Sequence, residues 1–252
     1  MGGVMRSVAW AMAGLVLGVV LWQLGVQSLQ ARIPIADAFG PQAAALAGWH
    51  LIEQGSLWPH LVLSLQRVAV GLGLALLFGV PLGLAMGMSR IFAQATTPLF
   101  QFLRMVSPLS WMPLAVMVLG VGDAPVYFLL VFAAVWPILL NTASGVAQLD
   151  PNWLALSRSL SATWWERITR LVLPGITAHI LTGVRLAIGL IWIVIVPAEM
   201  LGVSAGLGYF ILDTRDRLAY DELMAVIVII GLLGYLLDHG ARWLHNTWLH
   251  QR

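Results

Sequence analysis

The stretch Val68–Ser89, VAVGLGLALLFGVPLGLAMGMS, runs for 22 residues without a charge between Arg67 and Arg90. About 20 apolar residues let a helix cross a hydrocarbon core, where ionised side chains are costly, so this stretch predicts a membrane span. The same rule finds the others. Ser7–Ala31 is uncharged over 25 residues and predicts a first span. Its apolar run, from Val8 to beyond Leu24, is longer than the ~7–15-residue core of a cleavable signal peptide and has no convincing small-x-small cleavage site. Ile33–His60 mixes Pro34, Asp37, Pro41, Glu53 and Pro59, as expected of an external loop with one short surface helix. Ile91–Val121 holds Arg104 with Pro98, Pro108 and Pro113, which predicts a broken or kinked third span. Ala124–Leu149 gives a fourth, about Thr177 to Leu201 a fifth containing Arg185 and Glu199, and about Leu223 to Ala241 a sixth. The expected organisation is an N-terminal helix and external loop (1–60), a five-helix core (61–242) with an internal loop at about 150–176, and a cytoplasmic tail (243–252). The class is all-α and polytopic.

Composition agrees. The 252 residues are 60% hydrophobic and 10% charged, with mean hydropathy +0.89, against roughly 45–50% and about 25% in soluble domains. That excludes a soluble enzyme, a disordered chain and a collagen-like one. With no cysteine, disulfide frameworks and thiolate metal sites are excluded. All 13 basic residues are arginine, the net charge is only +2 and no basic block occurs, so nucleic acid is not an expected partner. Twelve tryptophans suit a chain with two water–lipid boundaries.

Arginine asymmetry sets the orientation. With both termini cytoplasmic, Arg6, Arg90, Arg158, Arg167, Arg170, Arg242 and Arg252 lie inside, and Arg32, Arg215 and Arg217 lie outside, a ratio of seven to three. Acids gather on the external side: Asp37, Glu53, Asp123, Asp213, Asp216, Asp221 and Glu222.

The longest internal loop is Asp150 to about Ile176. Asp150-Pro151 starts a helix, since Asp accepts from free N–H groups and Pro fits the first turn. Ser161-Ala162 then breaks the helix. Thr163 and Glu166 have capping-box spacing at the start of a second helix. On that helix Trp164, Trp165, Ile168, Leu171 and Val172 recur at helical spacing, with Glu166, Arg167 and Arg170 opposite. Leu173-Pro174 is expected to turn the chain into span five. The pattern fits a protruding knob or an amphipathic hairpin resting on the bilayer.

This loop resembles the cytoplasmic coupling loop of bacterial ABC-importer permeases, whose signature is E-A-A, three residues, G, nine residues, I-x-L-P. Aligned on Leu173-Pro174, the triplet falls at Ala155, Leu156 and Ser157, the glycine at Ser161 and the isoleucine at Leu171. The acidic residue and the glycine are absent; the spacing, Ala162-Thr163 and the Leu-Pro ending agree. Ser64-Leu65-Gln66-Arg67, Gly79-Val80-Pro81-Leu82-Gly83, Thr182 to Gly189, Ala198-Glu199-Met200-Leu201 and Gly206-Leu207-Gly208 resemble the nitrate/sulfonate/taurine branch. Arg104 to Pro113 and Trp136-Pro137 with Asn141-Thr142 are similar to its nitrate and bicarbonate permeases. The likeness covers about Leu61 to Asp238.

The resemblance implies a homodimeric inner-membrane permease of a bacterium, with two cytoplasmic ATPase subunits and a periplasmic binding protein. The substrate implied is a small oxyanion such as nitrate, nitrite, cyanate or bicarbonate, with alkanesulfonate or taurine as the alternative. ATP and Mg would belong to the ATPase. This chain has no G-x-x-x-x-G-K-[ST] phosphate loop and no lysine to build one, so it is not expected to be an enzyme or to carry a cofactor. Coupling would use Ala155, Leu156, Ser157, Arg158, Ser161, Ala162, Thr163, Trp164 and Trp165. Ala155 cannot supply the acidic contact, so shape, Arg158, Arg167 and the tryptophans must. A stand-alone channel would not need such a loop, and an integral-membrane enzyme would need a convergent polar cluster that the sequence lacks.

Arg104, Arg185 and Glu199 are the ionisable residues expected at membrane depth, where each needs a partner or a wet cavity. Arg104 is placed near the cytoplasmic start of span three, where snorkelling competes with an anion-attracting role. Arg185 and Glu199, 14 residues apart, are separated by about 21 Å on one helix and cannot pair. Glu199 is expected near the external end, in a structural network or gate. Ser107, Ser110, Trp111 and Asn141 complete the candidate pathway, against helix–helix hydrogen bonding or packing as the alternative. Thr142 and Trp136 divide between the same two readings. The histidines (His50, His60, His179, His239, His245, His250) show no metal-ligand spacing. Gly71, Gly73, Gly79 and Gly83 permit close helix contact, within a subunit or between two.

Overall fold

The structure is a computed structural model describing residues 2–30 and 32–250. Gln251 and Arg252 of the expected tail, and Ala31 at the end of the expected first span, lie outside the described residues, as do the side chains of His245 and His250. Every regular element among the described residues is helical. The chain divides into two compact units: the N-terminal segment to Leu61 with Phe210–Leu232, and Val62–Tyr209 with the chain from Leu233 onward.

In the first unit α1 (Gly2–Gln30) leads through a 3-10 turn, Pro34–Phe39, to α2 (Pro41–Glu53). Pro41 sits in the first turn of α2, where its missing N–H costs nothing, and Ala44, Ala47 and Leu51 form the buried face. The Trp22 indole N–H donates to the Phe39 carbonyl at 2.9 Å, tying the connection to α1.

α3 (Leu57–Met88) is 32 residues long and starts well before the uncharged stretch. Gaps between charges locate only the lipid-facing part of a helix, and Arg67 lies inside α3 because an acid from another helix meets it. The third span is broken, as expected. α4 (Arg90–Met105) is capped by Ser89, whose hydroxyl accepts from the Phe92 N–H at 3.2 Å. Pro108 disfavours helical backbone at Ser107, so the chain runs extended through Val106 and Ser107 before a 3-10 turn and α5 (Met112–Leu119). The two limbs meet at 88°.

α6 (Asp123–Ala147) returns to the loop helices α7 (Pro151–Ser159) and α8 (Trp164–Arg167). A π turn, Ile168–Val172, joins α8 to α9 (Leu173–Gly202). Leu173-Pro174 therefore does not turn the chain. Pro174 lacks a donor and crowds the carbonyl four residues back, and the widened π turn accommodates both effects without ending the helix. α10 (Leu207–Asp216) and α11 (Tyr220–His250) follow. α11 continues through residues 243–250, so the described part of the expected tail is helical. Among the described residues five helices are long and apolar enough to cross a membrane, and the bent α4–α5 pair makes up to six. The chain is a multi-pass membrane protein.

The second unit is organised around α6, which buries 13 of its 25 residues. Gly71, Ala75, Gly79, Gly83 and Gly87 form a stripe on α3 with a four-residue period. It meets the α6 ridge that carries Leu130, Ile138, Thr142 and Val146. On the other flank Gly183 of α9 lies against Pro137 and Ile138, and Gly145 of α6 lies against Ile176 and His179. Such small-xxx-small contacts suit lipid, where apolar surface alone gives no reason for helices to associate. The glycines on this stripe therefore serve contact within one chain. Gly73 is off the stripe and faces open space.

Gly73 and Gly83, about 15 Å apart on one helix, differ in what an added side chain would meet. A Cβ at Gly83 would lie 2.6 Å from the Leu139 carbonyl oxygen and from Thr142 Cβ, whereas one at Gly73 meets nothing within 4 Å. Gly83→Leu is expected to destabilise the fold by about 3 kcal/mol through overpacking, and Gly73→Leu to be nearly neutral. Unfolding in detergent mixtures measures both.

Candidate functional site

Three arrangements in the second unit carry polar chemistry. The first is a buried ionic knot where α3, α6 and the end of α9 converge. Glu199 is fully buried. One carboxylate oxygen accepts from Arg67 Nη1 at 2.7 Å and the other from the Gly208 N–H at 2.9 Å, while the Ser64 hydroxyl donates to the pair from 2.7–2.8 Å. Ser64 in turn accepts from the Leu207 N–H at 2.8 Å. Arg67 also donates from Nε to Asp123 at 2.9 Å and from Nη1 to the Ala205 carbonyl at 2.7 Å. Gly206 adopts φ +126, and a Cβ there would collide with both Arg67 and Glu199. The knot thus closes the α9–α10 turn as well.

Among the sequence-derived pathway residues, Glu199 is consumed by this knot and does not face a cavity. Arg67, its partner 132 residues away, has one usable signal: an arginine three residues after a serine, at the edge of an uncharged helix, must find an acid.

The second arrangement is a cavity of about 750 Å3 between α4, the α4–α5 bend, α6, α9 and α11. It brings together Arg104, Ser107, Asn141 and Arg185, with Trp136 and Asp238. Arg104 stands on the last turn of α4, 14 residues from Arg90, or about 21 Å along the helix. The helix begins at Arg90 and the proline-driven break follows Arg104, so Arg104 stands at the break rather than at the start of the span. Arg185 Nε lies 3.8 Å from Asp238, an acid that also pairs with Arg242. The Trp136 indole N–H is buried without a hydrogen-bond partner among the described residues. Asn141 uses one amide hydrogen on the Pro137 carbonyl at 2.8 Å. Ser110 and Trp111 do not line this cavity, and Trp111 packs against Phe132 at 5.7 Å instead. Thr142 is buried and donates to the Ile138 carbonyl within its own helix.

The third arrangement is the loop. Asp150 accepts from the Asn152 N–H at 2.8 Å as the N-cap of α7. Thr163 and Glu166 form a full capping box, with bonds of 3.0 Å and 3.2 Å. The Thr163 backbone and hydroxyl bonds, with attraction from Arg170, hold the Glu166 carboxyl below its ordinary range. The cap is complete above that range and is lost as pH falls through the depressed value. Val172 and Ile176 pack with Val146, Leu149 and Leu154, which ties the loop to the ends of α6 and α9. Trp164 to Gly202 is unbroken over 39 residues, about 58 Å, nearly twice a hydrocarbon core, so its first turns stand clear of the bilayer.

Trp153, Leu156, Leu160, Trp164 and Trp165 are 61–73% exposed. Trp153, Leu156 and Leu160, but not Trp164 or Trp165, line a groove of about 320 Å3 whose wall includes Ser157, Ser161, Ala162 and Arg167. Arg167 Nε is buried there without a partner among the described residues. Ala155, Arg158 and Thr163 are exposed beside it. Ser161, at the position aligned with the family's glycine, adopts φ +56. Left-handed backbone costs an L-residue roughly 1–2 kcal/mol and glycine almost nothing. No group of three or more His, Asp or Glu able to hold a metal occurs among the described residues.

Residues 79–248 match the family described as "Binding-protein-dependent transport system inner membrane component". The chain is 33% identical to the bicarbonate transport system permease protein CmpB of Synechococcus elongatus, over 93% of this chain and 87% of that one. It is 35% identical to the nitrate import permease protein NrtB of Leptolyngbya laminosa, over 92% and 84%. It is 32% identical to the taurine transport system permease protein TauC of Escherichia coli, over 80% and 73%. In fold it is similar to a chain of the MetNI methionine ABC transporter solved in inward-facing conformations, with TM-score 0.58 and 17% identity over 73% of this chain and 92% of that one.

The knot yields a stability test. Arg67→Met leaves a buried carboxylate without its cation and is expected to cost about 3–5 kcal/mol. Arg67→Met with Glu199→Met is expected to recover part of that loss. A thermal unfolding cycle over the single and double variants measures the coupling.

Proposed function

The chain belongs to the family of binding-protein-dependent transport system inner membrane components, and from that premise we propose that it is the permease of an ATP-driven importer for a small oxyanion of the nitrate or bicarbonate kind. It works as a homodimer in the bacterial inner membrane, with both termini in the cytoplasm. Two ATPase subunits receive its loop, and a periplasmic binding protein delivers the substrate. The nucleotide and its Mg belong to the ATPases. This chain supplies the passage and the handle.

The anion reading is carried by one observation: a membrane-depth cavity lined by Arg104 and Arg185, with a single acid, Asp238. Guanidinium groups present fixed forks of donors that match planar oxyanions. The unpaired Trp136 N–H and the free hydrogen of Asn141 add neutral donors. No anchored cation pair of this kind would serve a neutral or cationic solute. The likeness to TauC favours a second reading, a sulfonate such as taurine, which also carries an oxyanion group.

The loop reading rests on tryptophans left exposed by the described residues and on Arg167 Nε, unpaired among them, which suit a partner's apolar groove with an acceptor in it. Both termini are assigned to the cytoplasm because the loop carries Arg158, Arg167 and Arg170.

The complex purified with its ATPase and reconstituted in a bilayer tests both parts. Arg185→Gln is expected to lower anion-stimulated ATP hydrolysis roughly tenfold to a hundredfold, the worth of a charge-assisted hydrogen bond. Nitrate, bicarbonate and taurine are compared as stimulants, each with its receptor; stimulation by taurine alone selects the second reading. Ser161→Pro forces φ to about −65° where +56° is needed. It is expected to abolish stimulation with the permease still folded, as is Trp164→Ala, whereas Ser161→Gly keeps full stimulation and raises stability by about 1 kcal/mol. Normal stimulation in the Ser161→Pro and Trp164→Ala variants overturns the role of the loop.

A further inference from the structure

Three ionisable side chains stand in the wall of the 750 Å3 cavity: Arg104, Arg185 and Asp238. Their pairing is uneven. Arg104 has no partner among the described residues. Arg185 has an acid beside it, yet its Nε stops 3.8 Å from Asp238 Oδ1, beyond hydrogen-bond length. The other carboxylate oxygen, Oδ2, accepts from Arg242 Nε at 2.7 Å, and Arg242 Nη2 faces the same atom. Arg242 lies one turn further along α11 and outside the cavity wall. The carboxylate is thus pinned by one oxygen from behind, while the second is presented to the cavity arginine and left unengaged.

This is not how the chain builds a structural ion pair. Arg67 and Glu199 meet at 2.7 Å with side chains 5% and 0% exposed, so neither charge has an alternative. Arg185 and Asp238 are 38% and 39% exposed. Water reaches both, and each survives without the other. A contact that is open, long and anchored from one side only is suited to being made and unmade.

Two anions can claim the Arg185 fork: the tethered carboxylate and a free oxyanion in the cavity. With the oxyanion seated, Asp238 stands beside it as a like charge and weakens its hold. With the oxyanion gone, a shift of about 1 Å closes the Arg185–Asp238 contact to a hydrogen bond. Arg242 sets the strength of this competition, because it shares the charge of Asp238. We propose that Asp238 is a tethered competitor for the transported anion, a positioning residue that contests Arg185 and so sets how readily the anion leaves. The proposal rests on the oxyanion reading above.

The permease–ATPase complex in lipid nanodiscs, without its receptor, is titrated with [15N]nitrate, and line broadening gives the apparent Kd. Asp238→Asn is expected to tighten nitrate binding about tenfold, the effect of removing one neighbouring like charge. It is also expected to lower the maximal rate of ATP-driven nitrate uptake once receptor is added. Arg242→Gln is expected to shift binding the opposite way, weakening it severalfold, because the released carboxylate turns to Arg185. Asp238→Glu is expected to bind nitrate as the parent does. A clasp that merely holds α9 to α11 predicts no tightening in Asp238→Asn, and that result overturns the proposal. If Asp238→Asn does not assemble with the ATPase, Arg242→Gln decides: undiminished nitrate binding there overturns the competition. Where taurine alone stimulates hydrolysis, [15N]taurine replaces nitrate as the probe. Stimulation by nitrate with unshifted binding in both variants sinks the competitor and leaves the oxyanion reading standing. A parent complex that nitrate, bicarbonate and taurine all fail to stimulate sinks that reading and the proposal with it.

Discussion

Lipid tails are as apolar as leucine, so helices in a bilayer need a reason to touch. Here the reason is backbone proximity. The four-residue stripe Gly71–Ala75–Gly79–Gly83–Gly87 lets α3 lie against α6 closely enough that a single added carbon would strike the Leu139 carbonyl. Gly183 does the same for α9 on the opposite flank. With α6 held between them, the relative heights of α3 and α9 are set. That setting brings Ser64 and Arg67 level with Glu199, and places Arg185 beside the broken third span. Both polar arrangements inherit their geometry from apolar contacts that contain no charge.

The membrane-depth charges then divide by fate. Arg67 and Glu199 are saturated: every strong acceptor and donor near them is used, including the Leu207 and Gly208 amides. Arg104 and Arg185 are left with capacity to spare, Arg104 without a partner among the described residues and Arg185 with only a long contact to a shared acid. A buried ion pair is weak evidence for stability but a strong device for fixing register, since breaking one half strands the other. On the proposed reading, these unspent cations are what would receive the anion.

The sequence made the spans legible because charge is expensive in hydrocarbon, and the capping signals of the loop because they are local: Asp150, Thr163 and Glu166 act within three residues of themselves. It could not say whether the glycine stripe met its own chain or another, since spacing names a face and not its neighbour. Arg67 and Glu199 stayed unpaired on paper because 132 residues separate them and no periodicity reports a contact between helices. Arg104 stands at the break and not at the start of the span for a related reason: three prolines foretell a break but not which of them sets it. Pro174 was misjudged because a turn and a widened helix are both ways to live without one donor. Ser161 was aligned with a glycine before its backbone angle supplied the motive.

α8, the π turn and α9 make one shaft, with Trp164 at its foot, Arg185 partway along and Glu199 near its head. Its compliant points are the five-residue widening at Ile168–Val172 and Pro197, inside the helix two residues before Glu199. Whatever twist or thrust the widening does not absorb has to arrive at Arg185, and it reaches the Arg67–Glu199 clasp only through Pro197. Leverage at the foot is thus geared to the cationic chamber by covalent helix alone.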